Sequence, residues 1–362
     1  MSADVDVLVV GAGHAGLGVA SRLRSRRRSP VILEADGRVG QTWRDRWASL
    51  RLFTPRFVNG LPGMRFPDGD DPFPSKDEVA DYQERYAEQL GVPLHLGTRV
   101  IRLRPDAEGF IATLALATRD AALGSETVRA RNVVIATGAH QTPRLPSFAS
   151  RLDASVMQLH SRDYGTFGAL PNGPVLVVGS RNSGAEIADE LARSREIWIA
   201  QSKDATPAPR RWRSTRWWRA AQLRSWALRG VILPGPLPWP LKPPGGAWIE
   251  VDLDRLAKDT GLRRVPRAVD AEGDRVVFAD GSVMRPRTVI WATGFRSDDS
   301  WIDAPLVGGQ LHAGRRARGP LPGLYIVRAS LLASLHFGAL ASASDIAAHR
   351  TATVSGRSTP RP

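Results

Sequence analysis

The chain begins with a short apolar run, Val5-Asp6-Val7-Leu8-Val9-Val10, that leads directly into Gly11-Ala12-Gly13-His14-Ala15-Gly16. A glycine triplet with G-x-G-x-x-G spacing is a weak signal alone. Placed between a strand-like run and an Ala/Leu-spaced helical stretch from about residue 14 to 27, it admits few folds. Gly11 permits a tight turn and Gly13 lets backbone amides reach a pyrophosphate at the helix N-terminus. Gly16 lets helix and strand pack closely. The next apolar run, Val31-Ile32-Leu33, ends in Glu34. A carboxylate there accepts hydrogen bonds from both ribose hydroxyls and repels a 2′-phosphate, so FAD or NAD fits this turn and NADP does not.

Laid against itself, the sequence repeats this unit. Val175-Leu176-Val177-Val178 enters a second turn, Gly179-Ser180-Arg181-Asn182-Ser183-Gly184, followed by a helix carrying Ile187 and Leu191 on one face. The strand-like runs Val133-Val134-Ile135 and Val289-Ile290-Trp291 each lead into Ala-Thr-Gly, at Ala136-Thr137-Gly138 and Ala292-Thr293-Gly294. Similar intervals, Gly11 to Gly138 and Gly179 to Gly294, argue for two copies of one nucleotide-binding unit. The second copy departs from the first twice. Arg181 stands where the middle glycine belongs, so its Cβ crowds a pyrophosphate or its guanidinium pairs with one. After the strand at residues 197–200 come Gln201, Ser202 and Lys203 and no acid, which favours a 2′-phosphate and therefore NADPH. A second site that no longer binds nucleotide is the alternative.

Composition narrows the chemistry. The chain has no cysteine, which excludes a disulfide, a thiolate metal site and a redox-active dithiol. No spacing of metal ligands is found. The net charge of +14 invites a nucleic-acid or membrane reading, yet only Lys76, Lys203, Lys242 and Lys258 among the 50 basic residues are lysines, and the arginines are spread throughout. That pattern reads as a solvated basic surface. No targeting segment and no run long enough to span a bilayer is found, so a cytoplasmic protein is expected. Residues 76–90 predict a helix with Ser75 as N-cap, and strand-like pieces at 100–103 and 133–135 flank a turn at Gly109. Residues 205–248 hold six of the eleven Trp, seven Arg between Arg210 and Arg229, and a Pro-rich stretch from Pro234 to Pro244. They read as an insertion or lid. Its Trp/Arg helix packs against the domain, with membrane contact the lesser alternative.

Together these stretches resemble the class B flavin-dependent monooxygenases, within them the short bacterial flavoproteins similar to the plant auxin-biosynthesis flavin monooxygenases. The likeness is carried by the two glycine turns, Val39-Gly40-Gln41-Thr42-Trp43, Leu50-Arg51-Leu52, Ala136-Thr137-Gly138, His160-Ser161-Arg162-Asp163-Tyr164 and Ala292-Thr293-Gly294-Phe295. It implies an α/β fold of two intertwined Rossmann-type dinucleotide-binding domains, a glutathione-reductase-like two-dinucleotide flavoprotein. FAD is expected on residues 1–150 and 288–352, NADPH on 151–287, and a tail from 353 to 362. Gly11, Gly13, Gly16 and Glu34 then hold the ADP half of FAD, His14, Ala15 and Val100 count among the cofactor-binding residues, and Gln41, Thr42 and Trp43 pass nearer the flavin. Gly179, Ser180, Arg181, Asn182, Ser183, Gly184 and Lys203 take NADPH. Ala136, Thr137, Gly138, Thr293 and Gly294 lie where the chain crosses between domains.

The implied activity is transfer of one O2-derived oxygen atom to a small organic substrate through a C4a-peroxyflavin. A reductase passing electrons to a protein or quinone, and a low-turnover FAD-bound sensor or partner protein, are the alternatives. The chain departs from the family fingerprint by having Ala154 and Val156 ahead of His160, and Leu52-Phe53-Thr54-Pro55 lacks the Asn that supports oxygen activation in one branch. No residue is assigned a catalytic role. His160 reads as a support of the domain junction, with acid or base work as the alternative.

Overall fold

A computed structural model describes residues 3–116, 127–165, 170–201, 205–207, 247–249, 251–305 and 318–327. A mixed sheet and an all-parallel one organise them. The first contains β1 (Ala3–Val10), β2 (Pro30–Leu33), β3 (Leu94–His95), β4 (Thr98–Asp106), β5 (Gly109–Leu116), β6 (Thr127–Ile135) and, from near the end of the described chain, β19 (Leu324–Ile326). Its parallel part runs in the order β3-β2-β1-β6-β19, while the antiparallel hairpin β4/β5 joins the other half of the same β6 edge. After β6 the chain passes through the short strand β7 (Thr142–Pro143) and enters β8 (Met157–His160). The second sheet joins β8 to β9 (Val175–Val178), β10 (Ile197–Ala200), β13 (Arg263–Val265) and β17 (Thr288–Trp291) in the all-parallel order β13-β10-β9-β17-β8. The two orders are the same doubly wound arrangement used twice.

The apolar runs explain why these strands are central. Side chains alternate across a strand, so Val7 and Val9 face one layer while Leu8 and Val10 face the other, and all four are buried. Each such side chain removed from water contributes roughly 1.5–3 kcal/mol. The first layer is completed by α1 (His14–Arg24) and α3 (Lys76–Leu90), through Leu17, Leu23, Tyr82 and Tyr86. In the second sheet Val175 and Val177 pack under α4 (Asn182–Ala192) and α5 (Leu253–Thr260), while Leu176 and Val178 meet Val276 and Phe278. Those last two lie in the antiparallel trio β14 (Ala268–Glu272), β15 (Arg275–Phe278) and β16 (Val283–Met284).

Several expectations shift. The first helix ends at Arg24 rather than Arg27, because the chain tightens into a turn with Arg27 at φ +57°. Thr288–Trp291, counted with the FAD domain in the bounds that the resemblance implies, is a strand of the second sheet between β9 and β8, where the repeat of the strand-turn-helix unit puts it. Gly109 does turn the chain between β4 and β5. Of the proposed insertion, only its ends are described. Strands β11 (Ala205–Pro207) and β12 (Ala247–Ile249) pair side by side, so the chain leaves and returns at one place. The Trp/Arg stretch, Lys203 and the tail lie outside the described residues. Among the described residues no helix is long and apolar enough to cross a membrane.

Candidate nucleotide sites and the junction between them

Four helices of eight or more residues are described, and they differ at their N-termini. At α3, Ser75 accepts from the Glu78 amide and the Glu78 carboxylate accepts from the Ser75 amide, a complete capping box. At α5, Asp252 accepts from the Arg255 amide. Both carry an acid in their first turn. In α1 and α4, by contrast, no side chain caps the end and no acid occupies the first turn. Those two helices start at the glycine turns. Among the described residues no side chain caps their leading amides, and an uncapped helix N-terminus of this kind can take an anion.

The turns are built alike. Gly11 sits at φ +106° and Gly179 at φ +109°, and a Cβ on either would lie 2.6 Å from the Ala136 carbonyl oxygen or 2.4 Å from that of Ala292. Each amide bonds back to the end of the neighbouring strand, Gly11 to the Leu33 carbonyl at 2.8 Å and Gly179 to the Ala200 carbonyl at 2.9 Å. Gly16 and Gly184 pass so close to the preceding turn that an added Cβ would stand 1.9 Å from the carbonyl oxygens of Gly11 and Gly179. At Gly13 an added Cβ would meet nothing within 4 Å, so the first turn opens onto free space beside the helix N-terminus. His14 and Ala15 begin α1 beside that space, and both are half-buried.

Glu34, half-buried, faces this space from the end of β2. Its Oε2 accepts from the Ala12 amide at 2.6 Å and its Oε1 from the Asp36 amide at 3.1 Å. Burial pushes its carboxyl above the ordinary value near 4.5, and the two amides oppose that push. Each oxygen keeps a lone pair for a ribose hydroxyl, so the first turn fits the ADP half of a dinucleotide. The Thr98 amide donates to the Glu34 carbonyl at 2.8 Å and places β4 beside the turn. Val100, two residues on, sends its side chain into the core with Leu8 and Leu33, so only its backbone is available to a ligand. Gln41, Thr42 and Trp43 form the short helix α2 (Gln41–Arg44), with Trp43 packed on the first core.

In the second turn Ser180, 1% exposed, and Asn182 carry side-chain oxygens that are buried without a partner. Ser183 follows in the first turn of α4 and is half-buried. Arg181 is the N-cap and is exposed.

Between the turns, the two linkers run together. Strand β7 pairs antiparallel with β18 (Phe295–Arg296), the Arg144 amide donates to the Gly294 carbonyl at 2.9 Å, and the Thr293 hydroxyl donates to the Arg144 carbonyl. Gln141 bonds the Thr137 hydroxyl at 2.6 Å and the Gly138 carbonyl at 3.0 Å, and accepts from the Asp298 amide at 2.8 Å. Both Ala-Thr-Gly segments therefore border the crossing. His160 joins it. Its Nδ1 accepts from the Arg162 amide at 3.1 Å, which leaves Nε2–H to donate to the Gly294 carbonyl at 3.0 Å. Burial holds its pKa below the ordinary imidazole value, and with both nitrogens committed it supports the junction. The Phe295 ring packs between His160 and His140, at 4.8 and 4.9 Å, with the Arg46 guanidinium 5.4 Å from its centroid.

Sequence reasoning missed a second bridge. Trp47, 2% exposed, buries its ring in the core of the second sheet with Val175, Val177 and Ile187, and Leu50 touches both cores. Glu190 of α4 accepts from the Ser49 hydroxyl and, at 2.9 Å, from the Tyr164 hydroxyl. Burial and that carboxylate raise the Tyr164 pKa well above the ordinary phenol value. The signal available was the Trp47/Leu50 spacing in an otherwise polar stretch.

Residues 8–212 match the family model described as pyridine nucleotide-disulphide oxidoreductase. An uncharacterized CzcO-like oxidoreductase of Geobacillus kaustophilus is 36% identical over 329 residues, 89% of this chain and 90% of that protein. Indole-3-pyruvate monooxygenase YUCCA1 of Oryza sativa subsp. japonica is 29% identical over 322 residues, 82% of this chain and 78% of its own. Among solved structures, a flavin-containing monooxygenase from Stenotrophomonas maltophilia aligns with a TM-score of 0.77 at 24% identity, covering 96% of this chain and 99% of that one. The family match spans the first turn, the first of the two linkers and the second turn, and the fold is that of the two-dinucleotide flavin monooxygenases: the chain belongs to the pyridine nucleotide-disulphide oxidoreductase family and is a two-dinucleotide oxidoreductase.

Proposed function

We propose that the chain is an FAD- and NADPH-dependent monooxygenase that transfers one oxygen atom of O2 to a small organic substrate. The observation that carries this reading is the pair of acid-free, uncapped helix N-termini in a chain without a single cysteine. Electrons entering from a pyridine nucleotide have no dithiol of this chain to reach, so they pass from flavin to O2 or to an outside acceptor. The likeness to the rice indole-3-pyruvate monooxygenase and the Stenotrophomonas flavin-containing monooxygenase favours O2.

The first turn, with Glu34, suits FAD, and the second, where β10 runs into Gln201 rather than an acid, suits NADPH. When bound, the flavin supplies the hydride-accepting and oxygen-activating chemistry. The protein's part is to hold the two nucleotides in register. Gly11, Gly13, His14, Ala15, Gly16 and Glu34 anchor the first through backbone amides and the carboxylate. Gln41, Thr42 and Trp43 border the flavin. Thr137, Gly138, Thr293 and Gly294, tied by Gln141, Arg144 and His160, fix the angle between the two units.

Anaerobic mixing of the purified flavoprotein with NADPH or NADH, followed by oxygenated buffer, tests the reading. Rapid bleaching by NADPH in preference to NADH, then a transient spectrum distinct from oxidised and reduced flavin, is expected. Immediate reoxidation without a transient would replace the monooxygenase with a reductase or oxidase. Absence of bleaching would remove the second site from the mechanism.

A further inference from the structure

The two turns form an internal comparison, and one residue differs in kind. Gly13 caps α1 at φ −73°, ψ −179°, and Arg181 caps α4 at φ −81°, ψ −175°. Both are extended conformations open to any residue, so the backbone neither requires glycine at 13 nor is strained by arginine at 181. What glycine provides at 13 is room, since an added Cβ meets nothing within 4 Å. At the matching position of the second turn the residue is arginine. That side chain is exposed, and no ion pair to it is formed among the described residues.

A second, independent observation marks the same turn as incomplete. The Ser180 hydroxyl is buried in a residue 1% exposed and has no hydrogen-bond partner, and the buried Asn182 side-chain oxygen has none either. Buried polar atoms left unmatched are costly, so this turn is not closed by the chain's own groups.

We propose that Arg181 is a phosphate clamp, its guanidinium pairing with the pyrophosphate of a pyridine dinucleotide bound at the second turn and making good the glycine that this turn lacks. The inference rests on the second turn being the pyridine-nucleotide site. Its position at the helix N-terminus, rather than at the end of β10 where a ribose 2′-phosphate would lie, makes Arg181 a determinant of affinity and not of the choice between NADPH and NADH. A planar guanidinium holding phosphate oxygens is a charge-assisted, directional contact that Lys reproduces only as a point charge.

The test is equilibrium binding to the FAD-loaded protein, titrated calorimetrically with NADP+, NAD+, ADP-ribose and adenosine, for wild type and the Arg181→Ala, Arg181→Lys and Arg181→Gly variants. Flavin content and melting temperature serve as folding controls. Arg181→Ala is expected to weaken the first three ligands alike, by roughly tenfold to hundredfold, the worth of one hydrogen bond to a charged group. Arg181→Lys should recover part of the loss, and adenosine binding should not change. Unchanged binding in Arg181→Ala, or tighter binding in Arg181→Gly, would overturn the clamp while leaving the second site intact. Wild-type protein that binds none of the dinucleotides would overturn the clamp and the functional reading together.

Discussion

Gly16 and Gly184 allow a matched experiment in one molecule. Each is the third residue of its helix, and helix propensity alone says that alanine there stabilises by about 1 kcal/mol. Against that gain stands a Cβ 1.9 Å from a backbone carbonyl oxygen in both turns. Overpacking of a close-fitted interior costs typically about 1–3 kcal/mol, and here both partners are backbone, so no flexible side chain can yield. The upper part of that range applies. The clash wins, and a net loss of about 2 kcal/mol is expected for either variant, a fall of about 4–8 °C in melting temperature by the scaling for domains of this size. The functional outcomes should separate. Gly16→Ala moves the α1 N-terminus away from its turn and should lower flavin content, whereas Gly184→Ala should keep the flavin and lose affinity for NADP+. Thermal melts and flavin absorbance of the two purified variants decide the matter. Full flavin content and an unchanged melt in Gly16→Ala would refute the steric argument at its root.

Glu34→Gln should act in opposite directions on the two forms of the protein. Burial raises the Glu34 pKa in the folded chain, so its stabilising contribution is fully present below the unfolded value near 4.5 and is lost as pH rises through the raised one. Melting of the flavin-free variant should lack that decline, while flavin retention at neutral pH should weaken; identical pH slopes for both proteins would show that the carboxylate is not desolvated. Trp47→Ala empties a buried ring from the core of the second sheet at a cost of about 3 kcal/mol or more. Calorimetry should then show the two sheets unfolding in separate steps, and a single unshifted transition would mean that Trp47 does not couple them.

What could be read from the sequence follows from what is local. The glycine turns, the uncapped helices behind them and the capping box at Ser75 are written in adjacent residues, and the structure shows each in place. The doubly wound order, too, follows once two strand–turn–helix units are recognised. The junction was legible only through resemblance, and the Trp47 bridge not at all, because their contacts join residues far apart in the chain: His160 with Gly294 and Thr293 with Arg144 in the one, Ser49 with Glu190 in the other. No periodicity encodes such pairs. The same holds for Thr288–Trp291, whose run is equally apolar in either sheet and whose partner β9 lies more than a hundred residues back. Val100 shows the converse, since a residue beside the nucleotide turn spends its side chain on the core.

The differences between the copies fit two ligands held for different lengths of time. In the first turn a half-buried carboxylate, braced by two backbone amides, would fix the ribose of the proposed FAD, and the glycine at 13 would let its phosphate sit directly on the helix amides. Such contacts are largely removed from water and salt, as suits a cofactor that stays. In the second, the acid is replaced by Gln201 and the open glycine by an exposed guanidinium. Exposed charge pairs are worth less and are screened by salt, as suits a nucleotide that must leave after each hydride transfer. Helix α4 carries Arg181 at one end and, through Glu190, the Ser49 and Tyr164 hydroxyls near the other. The element that would receive the transient nucleotide is thus the one fastened to the segment that follows α2, so its docking can be exact without being tight.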